Sequence, residues 1–133
     1  MRILSVANRF DAHSTSLMAE YHKRLRGKFN LSAVQIKPQK GNQDQVIKQE
    51  SEILLQHIKP GEFIILLDET GEQITSQGFS KLLSSQTQNV IFIVGGAYGV
   101  SDELKSRANL VLSLGLMVLP HRLAMIVLTE QIY

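Results

Sequence analysis

Short apolar runs alternate with helix-length segments along nearly the whole chain, and this alternation constrains the fold more than any other feature. Continuous apolar strands separated by helices are typical of a parallel sheet that is covered on both faces. We therefore predict an α/β fold with a five-stranded, mostly parallel sheet and helices on both faces. The predicted strands cover residues 3–7, 31–36, 63–67, 90–94 and 110–113, and the predicted helices cover residues 14–28, 42–58, 75–85, a short segment capped by Ser101, and 120–133.

Length and composition favour a single soluble domain that spans residues 1–133. The chain has 133 residues, of which 44% are hydrophobic and 20% are charged, as in ordinary globular proteins. No apolar run approaches the ~20 residues that cross a bilayer, so we expect no membrane association. The first residues lead directly into strand-like sequence, which argues against a signal peptide. Because the chain contains no cysteine, disulfides and thiolate chemistry are excluded, and we expect a cytoplasmic location.

Basic residues concentrate near the end of the first predicted helix. The net charge is only +2, so the distribution of charge is more informative than its total. Two interpretations stay open, because such a patch can attract phosphates or can form a solvated helix face. The residues concerned are Lys23, Arg24, Arg26 and Lys28, followed by Lys37 and Lys40.

Two glycine-bearing apolar stretches in the C-terminal half mark the predicted functional site. In the first, residues 91–99 (IFIVGGAYG), a buried strand runs into a turn with Gly95, Gly96 and Gly99. Glycine leaves the main chain open to a ligand. The second stretch, residues 112–122 (LSLGLMVLPHR), follows about one helix later. Because ligands of open α/β sheets bind at the carboxyl ends of strands, we predict that these stretches form two walls of one pocket, although a tight structural turn would equally explain the glycines.

Several chemistries lack the residues that they require. The loop at residues 8–11 (NRFD) has no glycine, so neither a dinucleotide fingerprint nor a P-loop follows the first strand. The histidines show no metal-ligand spacing, and we predict no metal site. There is no G-x-S-x-G elbow and no cysteine nucleophile. What remains is a transfer reaction whose cofactor carries the activated group, with apolar walls and open main chain that suit an adenine and its ribose.

The last predicted helix and its first turn carry two further hypotheses. His121, beside Pro120, is assigned either a ligand-positioning or a helix-capping role. Residues 123–128 (LAMIVL) leave the helix almost no polar face until Thr129, and a helix that is apolar all round must be covered on all sides. We predict a homodimer through this C-terminal helix; the alternative is complete burial within one monomer.

Five segments in order and spacing resemble one known family. They are residues 66–71 (LLDETG), 92–99 (FIVGGAYG), 112–114 (LSL), 119–121 (LPH) and 130–133 (EQIY). This pattern resembles the ribosomal large-subunit pseudouridine methyltransferases of the SPOUT superfamily. The resemblance implies a C-terminal trefoil knot, a dimer and bound S-adenosyl-L-methionine. It also implies methylation at N3 of a pseudouridine in 23S rRNA of the assembled ribosome.

The resemblance also implies site residues and shows two departures from the family. We expect His121, which stands at the family's histidine position, and the nearby Arg122 to position the substrate. The family usually has arginine four residues after this histidine, where this chain has Met125, and it continues past Tyr133 with a tail that is thought to reach the active site. The alternative is therefore a catalytically weakened or inactive SPOUT-fold protein that binds RNA or the ribosome. The implied cofactor-binding residues are Leu67, Gly95, Leu114, Gly115, Leu116, Met117, Val118 and Leu119.

Overall fold

The computed structural model describes residues 1–7, 12–25 and 31–132, except for the side chains of residues 14 and 122. The glycine-free loop at residues 8–11 and the basic residues Arg26 and Lys28 lie outside these ranges. The helices and strands agree with the predicted elements to within a few residues, apart from the third strand. In chain order they are β1 (Arg2–Val6), α1 (Ala12–Leu25), β2 (Ser32–Ile36), α2 (Gln43–His57), β3 (Phe63–Gln73), α3 (Ser76–Ser85), β4 (Val90–Val94), α4 (Asp102–Arg107), β5 (Leu110–Ser113) and α5 (His121–Ile132).

The five strands form one sheet in the order β2-β1-β4-β3-β5. Every neighbouring pair is parallel, so the predicted α/β fold is confirmed and the described sheet is wholly rather than mostly parallel. Parallel neighbours require a crossover between strands, and the helices supply these crossovers. The strand order is compatible with the trefoil knot that the family resemblance implies, and the knot itself stays a prediction.

Successive residues along each strand face opposite sides of the sheet, and both sides are buried. On β4, Phe92 packs into one apolar cluster, whereas Ile91 and Ile93 pack into the other, and all three are 0% exposed. The first cluster contains the apolar side chains of α1, α3 and α5, and the second contains those of α2 and α4. Burial of each such side chain stabilises the fold by roughly 1.5–3 kcal/mol. This two-sided burial explains why the strands are continuous apolar runs.

Polar side chains cap three of the helices at their first turn. The Asn42 side chain accepts a hydrogen bond from the Gln45 N–H, and the Gln45 side chain accepts one from the Asn42 N–H, which together form a capping box. Thr75 caps α3 and Ser101 caps α4 in the same way. The predicted Ser101 cap is therefore confirmed, and these caps fix where α2, α3 and α4 begin.

The third strand corrects one prediction. We predicted a strand over residues 63–67 followed by a turn at residues 68–71, whereas β3 continues to Gln73. Its register against β5 shifts between Leu67 and Glu72, since both residues lie opposite Leu112. The intervening residues therefore form a bulge within the strand, which the Asp68 side chain supports by accepting a hydrogen bond from the Thr70 N–H at 2.9 Å. The predicted turn at residues 68–71 is therefore wrong, because these residues are an irregularity within β3, which pairs with β5 again at Glu72.

The final helix is buried on one side within the chain. Met125, Leu128 and Ile132 are 2%, 0% and 4% exposed and pack in the same cluster as α1 and α3. Thr129, which we expected to begin the polar face, is 0% exposed, and its hydroxyl donates to the Met125 carbonyl oxygen at 2.8 Å. Leu123 is 45% exposed. The homodimer through this helix stays a prediction. Among the described ranges, no helix combines the length and apolar character that a membrane span requires.

Candidate functional site

The carboxyl ends of β4, β3 and β5 meet at one edge of the sheet. Leu67 of β3 lies opposite Val94 of β4 and opposite Leu112 of β5. Adjacent strands lie about 4.8 Å apart. Gly95 directly follows Val94, and Leu114 is two residues after Leu112, so both residues lie close to Leu67. The fold therefore brings three of the predicted cofactor-binding residues to one edge. Their role in binding stays a prediction.

A cleft of about 220 Å³ opens beside the end of β5, between α3 and α5. Leu114 is the single predicted site residue that lines it. The α3 and α5 residues on its walls were missed by sequence reasoning, because no local signal shows that these two helices meet at the end of β5. Small-molecule sites usually measure about 300–1,000 Å³, so this cleft is smaller than a typical complete ligand site. The lining residues are Ile74, Thr75, Ser76, Phe79, Leu112, Ser113, Leu114, Val127, Leu128 and Gln131.

The loop between β5 and α5 exposes three consecutive apolar side chains. Leu116, Met117 and Val118 are 85%, 81% and 77% exposed. A cluster of exposed apolar groups is typical of a surface that a ligand or another protein covers. The other predicted residues of this loop, Gly115 and Leu119, are partly buried.

Ser113 holds the beginning of this loop. Its hydroxyl donates a hydrogen bond to the Gly115 carbonyl oxygen at 2.7 Å and accepts one from the Gly115 N–H at 3.2 Å. A Cβ atom at Gly115 would meet no atom within 4 Å. The space beside the Gly115 Cα is therefore open, while Ser113 restricts the conformation of the loop.

The turn after β4 is built from glycines for internal reasons as well. The Gly99 N–H donates to the Gly96 carbonyl oxygen at 3.1 Å, and Gly99 has φ +82°, which favours glycine. A Cβ atom at Gly95 would lie 2.8 Å from Cγ1 of Val100, a residue only 7% exposed. A larger residue at Gly95 would therefore disturb the packing of Val100 whether or not a ligand is bound.

Comparison with known proteins identifies the family. The model of the predicted SPOUT methyltransferase family matches residues 1–133. The chain belongs to the SPOUT methyltransferase family. One relative, the ribosomal RNA large subunit methyltransferase H of Caldicellulosiruptor saccharolyticus, is 31% identical over an alignment that covers 100% of this chain and 91% of the relative. The protein of the same name from Dictyoglomus thermophilum is 42% identical, with 86% of this chain and 78% of the relative covered.

A solved structure is also similar to this SPOUT methyltransferase. It is the SpoU methyltransferase AviRb from Streptomyces viridochromogenes in complex with AdoMet, with a TM-score of 0.49 and 12% sequence identity. The similarity covers 98% of this chain and 56% of that structure.

His121, which the family resemblance predicts to position the substrate, opens α5. His121 is the first residue of the helix, and the adjoining Pro120 carbonyl oxygen accepts the Ala124 N–H at 2.9 Å. Burial lowers the pKa of the His121 imidazole below its usual value, so the neutral form predominates at neutral pH. Arg122 follows it in α5, and its side chain lies outside the described part. Met125, where the family usually has arginine, packs in the apolar cluster.

An acidic group stands at the same edge of the SPOUT sheet, in the bulge of β3. Burial by itself would raise the pKa of Asp68, but hydrogen bonds from the Thr70 hydroxyl and N–H and the nearby Lys105 ammonium outweigh it and lower that pKa. Nζ of Lys105 lies 3.8 Å from the Asp68 carboxylate. Asp68 is therefore ionised at neutral pH and connects the bulge to α4.

Proposed function

We propose that this SPOUT methyltransferase transfers a methyl group from S-adenosyl-L-methionine to ribosomal RNA of the large subunit. The proposal depends on one observation: Leu67, the Gly95 turn and the beginning of the loop from Leu114 to Leu119 lie at one edge of the sheet. The family model matches the whole chain that contains this edge. The relatives named as large-subunit rRNA methyltransferases support the class of substrate. The finer target is N3 of a pseudouridine in 23S rRNA of the assembled ribosome, which would place the protein in the cytoplasm.

The residues at this edge fit the cofactor. When bound, S-adenosyl-L-methionine supplies an activated methyl group on a positively charged sulfur atom. The space beside Gly115, where a Cβ atom would meet no atom within 4 Å, lets the adenine and ribose approach the loop. The Gly115 N–H already donates to the Ser113 hydroxyl, and the Gly115 carbonyl oxygen keeps a second lone pair for a donor of the ligand. The exposed side chains of Leu116, Met117 and Val118 supply apolar surface that the adenine ring would cover. The cleft beside Leu114 provides space for part of the molecule.

The chain's contribution to the chemistry is mainly orientation. Methylation at N3 requires loss of the N3 proton and approach of the nitrogen in line with the methyl group. The neutral imidazole of His121, whose pKa is lowered by burial, has one donor and one acceptor nitrogen. We assign His121 and Arg122 to placing the target base, with Arg122 providing a permanent positive charge for the RNA.

A homodimer would complete the surface around the site. We propose that a second copy packs against α5 on the side that carries Leu123, which is 45% exposed. A half-buried helix whose outward side chain is apolar is stabilised by such contact. In this arrangement residues 1–133 act as one domain in each subunit.

Methyl transfer from labelled S-adenosyl-L-methionine to ribosomes tests the proposal directly. We expect label to enter 23S rRNA at a single pseudouridine, located by reverse transcription or mass spectrometry. Ribosomes already methylated at that position are the control and should accept no label. Calorimetry with S-adenosylhomocysteine separates the remaining outcomes. Binding without transfer would favour a catalytically weakened RNA-binding protein, and absence of binding would overturn the cofactor assignment.

A further inference from the structure

Glu50 is a buried acid on α2 with an incomplete set of hydrogen bonds. The residue is 2% exposed, and its Oε2 accepts a hydrogen bond from the Gln39 N–H at 3.0 Å. Its Oε1 is buried with no hydrogen-bond donor among the described residues. No lysine or arginine of the described ranges forms an ion pair with it. A buried carboxylate in this condition costs free energy, which calls for an explanation.

The unpaired oxygen lies against the glycine turn. A Cβ atom at Gly96 would be 2.5 Å from Oε1 of Glu50 and 3.3 Å from Cγ1 of Val6. Such a contact with an oxygen is too short, so the space between α2 and the turn is filled by the Glu50 carboxylate. A side chain at position 96 would therefore have to displace the Glu50 carboxylate.

Ser51, the next residue of α2, contacts the end of the loop that follows β4. Ser51 is 1% exposed, and its hydroxyl oxygen accepts a hydrogen bond from the Ser101 N–H at 2.8 Å. Consecutive residues of one helix thus support the turn at Gly96 and at Ser101. α2 therefore supports the turn that follows β4 through Glu50 and Ser51.

The location of this carboxylate relates it to the methyl donor. Gly96 follows Gly95, which the proposed function assigns to cofactor binding. S-adenosyl-L-methionine carries a positive charge at sulfur, whereas the product S-adenosylhomocysteine is a neutral thioether. A buried charge is screened less than an exposed one and acts over a longer distance. An ionised carboxylate near the sulfur would therefore attract the cationic ligand more strongly than the neutral one.

We propose that Glu50 is a positioning residue for the methyl donor, whose carboxylate supports the glycine turn at Gly96 and favours the cationic cofactor over the neutral product. The inference rests on the proposed function. It assigns Glu50 a part in binding S-adenosyl-L-methionine and in releasing S-adenosylhomocysteine after transfer.

The test compares two substitutions that change charge equally. Glu50→Gln keeps the shape of the side chain and an oxygen for the Gln39 N–H but removes the charge. Glu52→Gln makes the same change at an exposed position of α2 and is the control. Affinity for each ligand is measured by calorimetry. We expect Glu50→Gln to weaken binding of S-adenosyl-L-methionine about tenfold and binding of S-adenosylhomocysteine by less than about twofold, with neither changed by Glu52→Gln.

A purely structural role for Glu50 gives a different result. In that case Glu50→Gln would weaken the binding of both ligands equally. Equal weakening, or unchanged binding of S-adenosyl-L-methionine, overturns the inference. If Glu50→Gln fails to fold, the wild-type protein provides the test, because the inference requires it to bind S-adenosyl-L-methionine more tightly than S-adenosylhomocysteine. Equal or tighter binding of S-adenosylhomocysteine overturns the inference. Wild-type protein that binds neither ligand overturns the proposed function itself, before any variant is compared.

Discussion

Arg2 and Glu62 form a bidentate ion pair between residues 60 positions apart in the chain. Nε of Arg2 lies 3.1 Å from Oε2 of Glu62, and Nη2 of Arg2 lies 2.6 Å from Oε1. The Glu62 side chain is 3% exposed and that of Arg2 is 17% exposed. Glu62 also accepts the Lys59 N–H at 2.6 Å. The pair therefore connects the beginning of β1 to the connection that precedes β3.

Removal of one partner from this pair should destabilise the protein. Glu62→Ala leaves the largely buried Arg2 guanidinium without its carboxylate, and we expect a loss of about 2 kcal/mol or more in the free energy of unfolding. Urea denaturation provides the measurement. The control is Glu20→Ala, which breaks the exposed ion pair between Glu20 and Arg24 and should cost less than about 0.5 kcal/mol. Equal losses in the two variants would contradict the importance assigned to burial.

Stability should fall as the pH decreases through the histidine range. Burial lowers the pKa values of both His22 and His121 in the folded protein. The unfolded chain, with an ordinary histidine pKa of about 6.5, then binds more protons than the folded chain near that pH, so the free energy of unfolding falls below about pH 6.5. Thermal unfolding as a function of pH measures this effect. His121→Gln and His22→Gln should each make the free energy of unfolding less dependent on pH in this range. An unchanged pH dependence in both variants would refute the lowered pKa values of the two histidines.

The Glu62 carboxyl group contributes in a separate pH window. For Glu62, burial acts to raise the pKa, but the hydrogen bond and charge of Arg2 and the Lys59 N–H outweigh it and lower that pKa. A carboxyl group whose folded pKa is lowered stabilises the protein above its unfolded pKa and loses this contribution as the pH falls below about 4. Glu62→Gln should therefore reduce the acid dependence below about pH 4 and leave the histidine range unaltered.

Ser113→Ala should weaken cofactor binding without unfolding the protein. The substitution removes both hydrogen bonds between the Ser113 hydroxyl and Gly115. The loop of the variant is then less ordered before binding than the wild-type loop, so it loses more conformational freedom when the cofactor binds. We expect the affinity for S-adenosylhomocysteine to fall about fivefold, which corresponds to roughly 1 kcal/mol. Ser106→Ala, which removes an exposed hydroxyl bond to the Glu103 carbonyl oxygen, is the matched control. Unchanged affinity in Ser113→Ala would show that the loop is not part of the site.

Leu123→Lys should separate the proposed dimer while each subunit stays folded. Leu123 is 45% exposed in one subunit, so a lysine there is tolerated in the monomer but places a charge in the proposed interface. Analytical ultracentrifugation measures the change, with circular dichroism to verify folding. Ile126 is a poorer choice, because it packs against the first apolar cluster and a charge there would also disturb the core. Wild-type protein that sediments as a monomer would contradict the interface.

Much of the fold follows from local sequence. Strands such as Val90–Val94 are apolar throughout because both faces of the sheet are covered, and the Ser101 cap is recognisable because its oxygen bonds to an N–H three residues later. The glycines at positions 95 and 115 follow the carboxyl ends of β4 and β5, so the sequence also predicts the edge of the sheet at which we propose the site.

Tertiary structure alone decided the remaining features. The placement of β4 between β1 and β3, the return of β3 to pairing at Glu72, and the burial of Thr129 depend on elements distant in sequence. The same holds for the contact between Glu50 and Gly96 and for the cleft between α3 and α5. Periodicity and capping are properties of neighbouring residues, so the sequence determined the elements and the edge at which to look for the site. Which side chains face one another across that edge depends on long-range packing, whose partners no local pattern encodes.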